Sequence, residues 1–250
     1  MINKELDIYC CCISTNRADN VKALEEKTGL KFTYYTRKGE ADKYLEAGAS
    51  DVVEVDGNIC KARNKAIEQA EGRLCLQISD DYKKVSLVRG SNGVYNKVDI
   101  TFIEAIRIMV ESFRKIGGSY AGTAITDNLF YYTGKQVQQN KLIVNDCILV
   151  DGKMKFDEKA DLKEDYDMFI RQVKAGNKVL RFNLLLMTFP HRGNKGGAND
   201  YRTSEREAKC NQYILKKHYG IVKPHSRREN QLEINYKELL KRWKQLNFNK

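Results

Sequence analysis

Ser79-Asp80-Asp81 stands where an apolar alternation, Leu74, Leu76 and Ile78, comes to an end. Two adjacent carboxylates are poor core residues, because burying unpaired charge is costly. Their oxygens suit hard divalent cations such as Mn²⁺ or Mg²⁺, which also take phosphate oxygens. A solvated Asp-Asp turn is the plain alternative. A second acidic pair, Glu164-Asp165, opens a helix-like stretch whose stripe is Leu162, Tyr166, Phe169 and Val173. Asp161 and Glu164 have capping-box spacing, so Glu164 can be structural. Asp165 lies about 60–70° from the centre of that stripe, at the edge of the buried face, where a general base can sit. The nearby helix N-terminus is expected to favour its ionised form. His191 follows Pro190 and opens the run His-Arg-Gly-Asn-Lys-Gly-Gly. An imidazole there could complete a cation site, and Arg192 and Lys195 could close over a diphosphate; a surface histidine on a flexible connector is equally ordinary. Lys61, Arg63 and Asn64 follow the expected N-cap Asn58, where basic groups can contact phosphate or simply face water.

The elements that would position these groups alternate. Ile8 to Ile13 reads as a buried strand ending at Ser14-Thr15-Asn16-Arg17. A helix follows from about Asn20 to Lys27, then a strand Lys31 to Tyr35, a helix Glu40 to Ala47, a strand Asp51 to Val55, a helix Ile59 to Ala70, and a strand into Ser79. That order predicts an α/β fold with a Rossmann-like, mostly parallel sheet flanked by helices, whose ligands bind beyond the carboxyl ends of the strands. Further on, the spacing predicts a helix over Asp99 to Ile116, strands at Tyr120 to Thr126 and Lys141 to Val150, a helix over Asp161 to Ala175, and one apolar strand from Lys178 to Phe189. Ser204 and Glu207 form an expected capping box for a helix reaching His218, and a last helix follows Pro224 with Leu232, Tyr236, Leu239, Trp243 and Leu246 on one stripe. No GxGxxG follows the first strand and no GxxxxGK[ST] exists, which argues against a dinucleotide dehydrogenase and a P-loop NTPase.

Charge and composition set the class. The 250 residues carry 44 Lys and Arg against 33 Asp and Glu, a formal charge of +11. The surplus is concentrated: residues 191–250 hold 15 basic and 6 acidic side chains, whereas residues 1–190 hold 29 and 27. A basic segment attracts polyanions, nucleic acid first and anionic membrane second, or is a solvated helical surface. The longest apolar runs are far too short to span a bilayer, and Asn3, Lys4, Glu5 and Asp7 interrupt any secretory segment, so a cytoplasmic protein without integral membrane association is expected. Seven cysteines without a CxxC pair read as small apolar fillers rather than a zinc site.

The order of these motifs resembles a GT-A glycosyltransferase of the family 2 type over about residues 6–195: a strand into Thr15-Asn16-Arg17, a helix with Ala62-Arg63-Asn64, a strand into Ser79-Asp80-Asp81, and Glu164-Asp165 at a helix start. The Ser-Asp-Asp form and the Gly-Gly loop after His191 are most similar to the phage TET-associated glycosyltransferases. The resemblance implies a catalytic domain over residues 1–200 with a basic helical C-terminal extension over 201–250. It implies that Asp81 and His191 hold Mn²⁺ or Mg²⁺, and that Asp165 and Glu164 are catalytic, with Asp165 as the base. Ser14, Thr15, Asn16, Arg17, Lys61, Arg63, Asn64, Asp80, Arg192 and Lys195 would surround the nucleotide sugar, a UDP-sugar foremost. Ser79 stands where that metal motif often has Asp, which leaves the role of Asp80 open. The implied acceptor is double-stranded DNA carrying hydroxymethylated pyrimidines, with inversion at the sugar. Rival readings are the same transfer to a glycan or protein, a nucleotidyltransferase, and a non-catalytic DNA-binding module.

Overall fold

The computed structural model describes residues 1–190, 197, 202–228 and 230–241. In chain order the first part runs β1 (Ile2–Asn3), β2 (Ile8–Ile13), α1 (Asn20–Thr28), β3 (Thr33–Arg37), α2 (Ala41–Glu46), β4 (Asp51–Val55), α3 (Ile59–Gln69) and β5 (Leu74–Ser79). Strands β4, β3, β2 and β5 lie side by side and parallel, so Val55, Arg37, Ile13 and Ser79 finish at the same edge. The expected α/β class with helices on both faces is what the chain forms.

The sheet continues as a mixed one. After β6 (Lys84–Ser91), β7 (Val94–Ile100), α4 (Phe102–Ile116), β8 (Tyr120–Thr123), β9 (Val137–Gln139) and β10 (Cys147–Val150) come α5 (Glu164–Lys174), β11 (Val179–Phe182) and β12 (Leu185–Thr188). Strand β10 runs antiparallel between β5 and β8, and β11 pairs parallel with β8. The stretch expected as one strand from Lys178 to Phe189 is two: β11 stays in the large sheet, while β12 joins β6 and β7 in a three-stranded sheet. Strands β6 and β7 carry no strong apolar alternation, and most of β7 is exposed. Their signal is the turn Asn92-Gly93, whose φ of 54° and 84° suits a two-residue hairpin.

Burial follows the pleat of β2. Cys10 and Cys12 face a core packed by α1 and α4, whereas Tyr9 and Cys11 face the core under α3 and α5. All seven cysteines are buried and free. In α4 the N-cap is Thr101, in a reciprocal box with Glu104, so the helix begins at Phe102, three residues after the expected start at Asp99.

The C-terminal segment is α6 (Ser204–Lys217), then a hairpin of β13 (Val222–Pro224) and β14 (Leu232–Ile234), then a helix over 236–241. Leu232 therefore lies in a strand, not on the last helix. Ile214, Ile221, Leu232, Ile234 and Leu239 share one apolar cluster with Met168, Phe169 and Val150 of the main body. The α6 cap is Thr203, accepting from Arg206 N, rather than Ser204; Glu207 instead pairs with Lys163 at 3.0 Å. Trp243 and Leu246 lie outside the described residues. Among the described residues no helix is long and apolar enough to cross a membrane.

Candidate functional site

The shared edge of β2, β3, β4 and β5 opens into a cavity of about 490 Å³, within the size range of ligand sites. Ser14, Thr15 and Arg17 line it from the end of β2, Asp80 and Asp81 from the end of β5, and Glu164 and Asp165 from the start of α5. The strands stop there for a local reason: Asn16 has φ 55°, a left-handed turn that an asparagine tolerates, and it swings Arg17 back over the sheet edge.

Arg17 is the hinge of the acidic end. Its Nη1 lies 2.9 Å from Asp80 Oδ1 and 3.5 Å from Asp81 Oδ2. Burial works against the guanidinium charge, but the two carboxylates together raise its pKa. Asp80 is 4% exposed and also accepts from the Ser14 hydroxyl, which in turn meets the Tyr44 hydroxyl at 2.6 Å. Burial pushes the Asp80 carboxyl upward against the opposing pull of Ser14 and Arg17. Asp80 thus positions Ser14 and Arg17 more than it offers itself to a ligand. Asp81 accepts from Ser79 Oγ at 2.8 Å.

The fit of a divalent cation follows from this donor set. Among the described residues no three His, Cys, Asp or Glu side chains group into a cage. The chain would supply Asp81, and phosphate oxygens and water would fill the other positions, which is how Mg²⁺ is commonly held at phosphate sites. His191, the second ligand expected from sequence, lies outside the described residues, as do Arg192 and Lys195. Gly197 of the same run is described: it has φ 65°, its N–H donates to Thr15 O at 2.9 Å, and a Cβ there would sit 3.0 Å from Arg17 Cζ.

At the other end, Asp165 is held by its contact with Tyr166 N at 2.8 Å. Burial first, and the charge of Glu164 second, push its carboxyl up to about 7. The backbone at the start of α5 favours the ionised form, as expected, but desolvation outweighs it. The expected Asp161–Glu164 capping box is absent too. Lys163 occupies the N-cap without a side-chain cap bond, Asp161 pairs with Arg206, and Glu164 accepts from Asn145 Nδ2 at 3.2 Å and lies 3.6 Å from Arg63.

The cluster on α3 divides. Asn58 caps the helix as expected, accepting from Lys61 N. Arg63 reaches the cavity wall but is 5% exposed and spends its fork on Gln77 Oε1 and the Asn145 carbonyl, both at 3.0 Å. Asn64 is turned away: its amide binds both the Phe156 N–H and the Phe156 carbonyl. Lys61 reaches back to the Asp56 carbonyl, and neither Lys61, Asn64 nor Asn16 lines the cavity. Residue spacing does not encode that these three stand outside the cavity lining.

Three cavity arginines were not anticipated: Arg37, Arg202 and Arg206. Arg37 ends β3, which runs two residues past the expected end at Tyr35. Arg202 and Arg206 belong to the C-terminal segment, and no local pattern places α6 against this cavity.

No family model matches the chain, and no curated protein does. Among solved structures, a Bacillus anthracis protein described as a glucose-1-phosphate thymidylyltransferase in complex with a sucrose is similar at 13% identity and a TM-score of 0.30, over 84% of this chain and 83% of that one. A likeness of that size carries no argument about fold or activity.

Proposed function

We propose that this chain is a metal-dependent glycosyltransferase that moves a sugar from a nucleotide sugar, a UDP-sugar foremost, to the hydroxymethyl group of a modified pyrimidine in DNA. The observation that supports it most is the meeting, in one cavity at the strand ends, of Asp81, a set of arginines, and a buried carboxyl, Asp165, whose pKa is close to neutral.

Each part has a task. Arg17 and Arg37 present charge-assisted donors to a diphosphate. Asp81 would hold Mn²⁺ or Mg²⁺, which when bound supplies Lewis-acid neutralisation of the departing diphosphate. Asp165 accepts the proton of the acceptor hydroxyl as that oxygen attacks the anomeric carbon and the bond from that carbon to the diphosphate breaks. A base with a pKa near the working pH is stronger than an ordinary carboxylate and still ionised in a useful fraction. One base suits a single displacement with inversion, whereas a hydrolase needs two carboxyls. Glu164, tied to Arg63 and Asn145, orients the start of α5.

The acceptor reading draws on the resemblance and on the basic C-terminal segment, since phosphate contacts give affinity without sequence information. Part of that segment's charge is spent internally: Lys217 pairs with Asp167, Lys209 with Glu205, and Lys223 with Glu233.

The test is incubation with Mn²⁺, a panel of nucleotide sugars and DNA containing 5-hydroxymethylcytosine, followed by weighing the released nucleosides. One added hexose or pentose mass is expected, lost with EDTA and with Asp165→Asn. Donor cleavage without a DNA adduct moves the acceptor to a glycan or protein, and pyrophosphate release from a nucleoside triphosphate replaces sugar transfer with nucleotidyl transfer. A protein that turns over neither kind of substrate overturns the reading. A retained anomer, seen by NMR, rejects the single displacement.

A further inference from the structure

Asp161 is held in a costly way. It is 6% exposed, its φ is 28°, a left-handed value unusual for a residue other than glycine, and its Oδ1 is buried without a hydrogen-bond partner. Strain and an unsatisfied acceptor at one residue cluster where a ligand or a second arrangement stabilises them. The grip on Asp161 comes from α6: Arg206 Nε and Nη2 both reach the single oxygen Oδ2, at 2.7 and 2.5 Å. The Arg206 side chain is 41% exposed, and both residues line the cavity. Lys163 and Glu207 join the same two elements at 3.0 Å without lining the cavity, so α6 has a second tie that does not depend on Arg206.

We infer that Arg206 is a phosphate-recognising residue for which Asp161 and the donor's diphosphate compete. This rests on the nucleotide-sugar reading of the cavity. A guanidinium fork is best satisfied by two oxygens of one group, and a diphosphate offers such pairs together with more charge than a carboxylate. Asp161 uses one oxygen for two donors and leaves the other unpaired, a poor match that a diphosphate improves on. The competition sets a threshold: an anion must exceed the carboxylate in charge and in paired oxygens to win Arg206. That requirement selects a nucleoside diphosphate over a nucleoside monophosphate, and it gives the C-terminal segment a role at the donor site separate from any contact with nucleic acid.

Calorimetric titration with UDP, GDP, ADP, CDP and TDP, each with Mn²⁺, tests the competition. Arg206→Gln is expected to weaken the tightest of these by roughly ten- to a hundredfold, the worth of a charged hydrogen-bond pair. Asp161→Asn is expected to act in the opposite direction and tighten it severalfold; asparagine tolerates the left-handed backbone, and Asp161→Gly is the second variant, because glycine adopts φ 28° freely. In the double variant the gain from Asp161→Asn should vanish, leaving the affinity of Arg206→Gln alone. Weakening by both single variants would overturn the inference in favour of a purely structural pair, and a gain that persists without Arg206 would overturn it in favour of a general field effect. Wild-type protein that binds none of the five diphosphates would sink the nucleotide-sugar reading itself, whereas wild-type binding with unmoved variants sinks only the competition.

Discussion

Helix α5 carries two aspartates, two residues apart, with opposite fates. Asp165 faces the cavity, and burial with Glu164 beside it pushes its carboxyl up to about 7. Asp167 points about 200° around the helix, into the packing against α6. There it meets Arg171 Nε at 2.6 Å, Lys217 Nζ at 2.7 Å and His218 Nε2 at 2.9 Å. Burial also acts on Asp167, but these partners outweigh it and hold its pKa down at about 2. The difference separates two uses of a buried carboxylate. One is saturated with donors and ties elements together; the other is left short of them and stays ready to take a proton.

The sharpest way to break this contrast is substitution at Asp165. Asp165→Asn is expected to lower kcat/KM by about 10²–10⁴ while leaving the melting temperature unchanged or higher, because the neutral amide carries no charge to desolvate. Asp167→Asn should do the reverse. Losing the carboxylate takes a charged partner from Arg171 and Lys217 and the partner of buried His218, although Lys217 keeps Asp157 and Arg171 keeps the Lys155 carbonyl; about 2–3 kcal/mol of stability should go, read from denaturant unfolding, with kcat of the folded protein kept. A stable Asp167→Asn protein with impaired turnover would show that both faces serve the chemistry.

The two carboxyls should also divide the pH axis. Asp165 works ionised, so the rate should rise with pH through about 7, and a flat profile between pH 5 and 8 would remove it as the base. Asp167 has a folded pKa depressed to about 2. Its contribution, about 2–3 kcal/mol, is fully present above the unfolded value near 3.9 and is lost as pH falls through about 2. Asp167→Asn should flatten that acid limb and leave the activity profile where it was. The smallest effect concerns the acidic end of the cavity. Gly197→Ala adds a Cβ 3.0 Å from Arg17 Cζ at a left-handed φ, at a cost of about 1 kcal/mol, so donor affinity should fall about fivefold without loss of fold. Unchanged binding would show that the Gly197–Arg17 contact does not matter to the donor.

Much of the positioning was legible in local pattern. Asn58 caps α3, Ala62 and Ala66 face the core, and the first four long strands end where polar residues follow them. Those features depend on period and on one or two neighbours. The β6–β7 hairpin was not legible from hydrophobicity, because it lies at an edge and buries little, although Asn92-Gly93 marked its turn. The partner of Asn64 is illegible for another reason: it is the backbone of Phe156, remote in sequence.

The sequence by itself determined that an α/β sheet would gather Ser14 to Arg17 and Ser79 to Asp81 at one edge, because strand periodicity and parallel connection leave few other arrangements. Only the tertiary structure decided which carboxyls are left with raised pKa values and which are charge-paired, which polar groups of α3 are spent on backbone, and that the C-terminal segment brings Arg202 and Arg206 to the cavity. Charge and burial are properties of a neighbourhood. Neighbourhoods assembled from distant segments are set by packing, which no local spacing records.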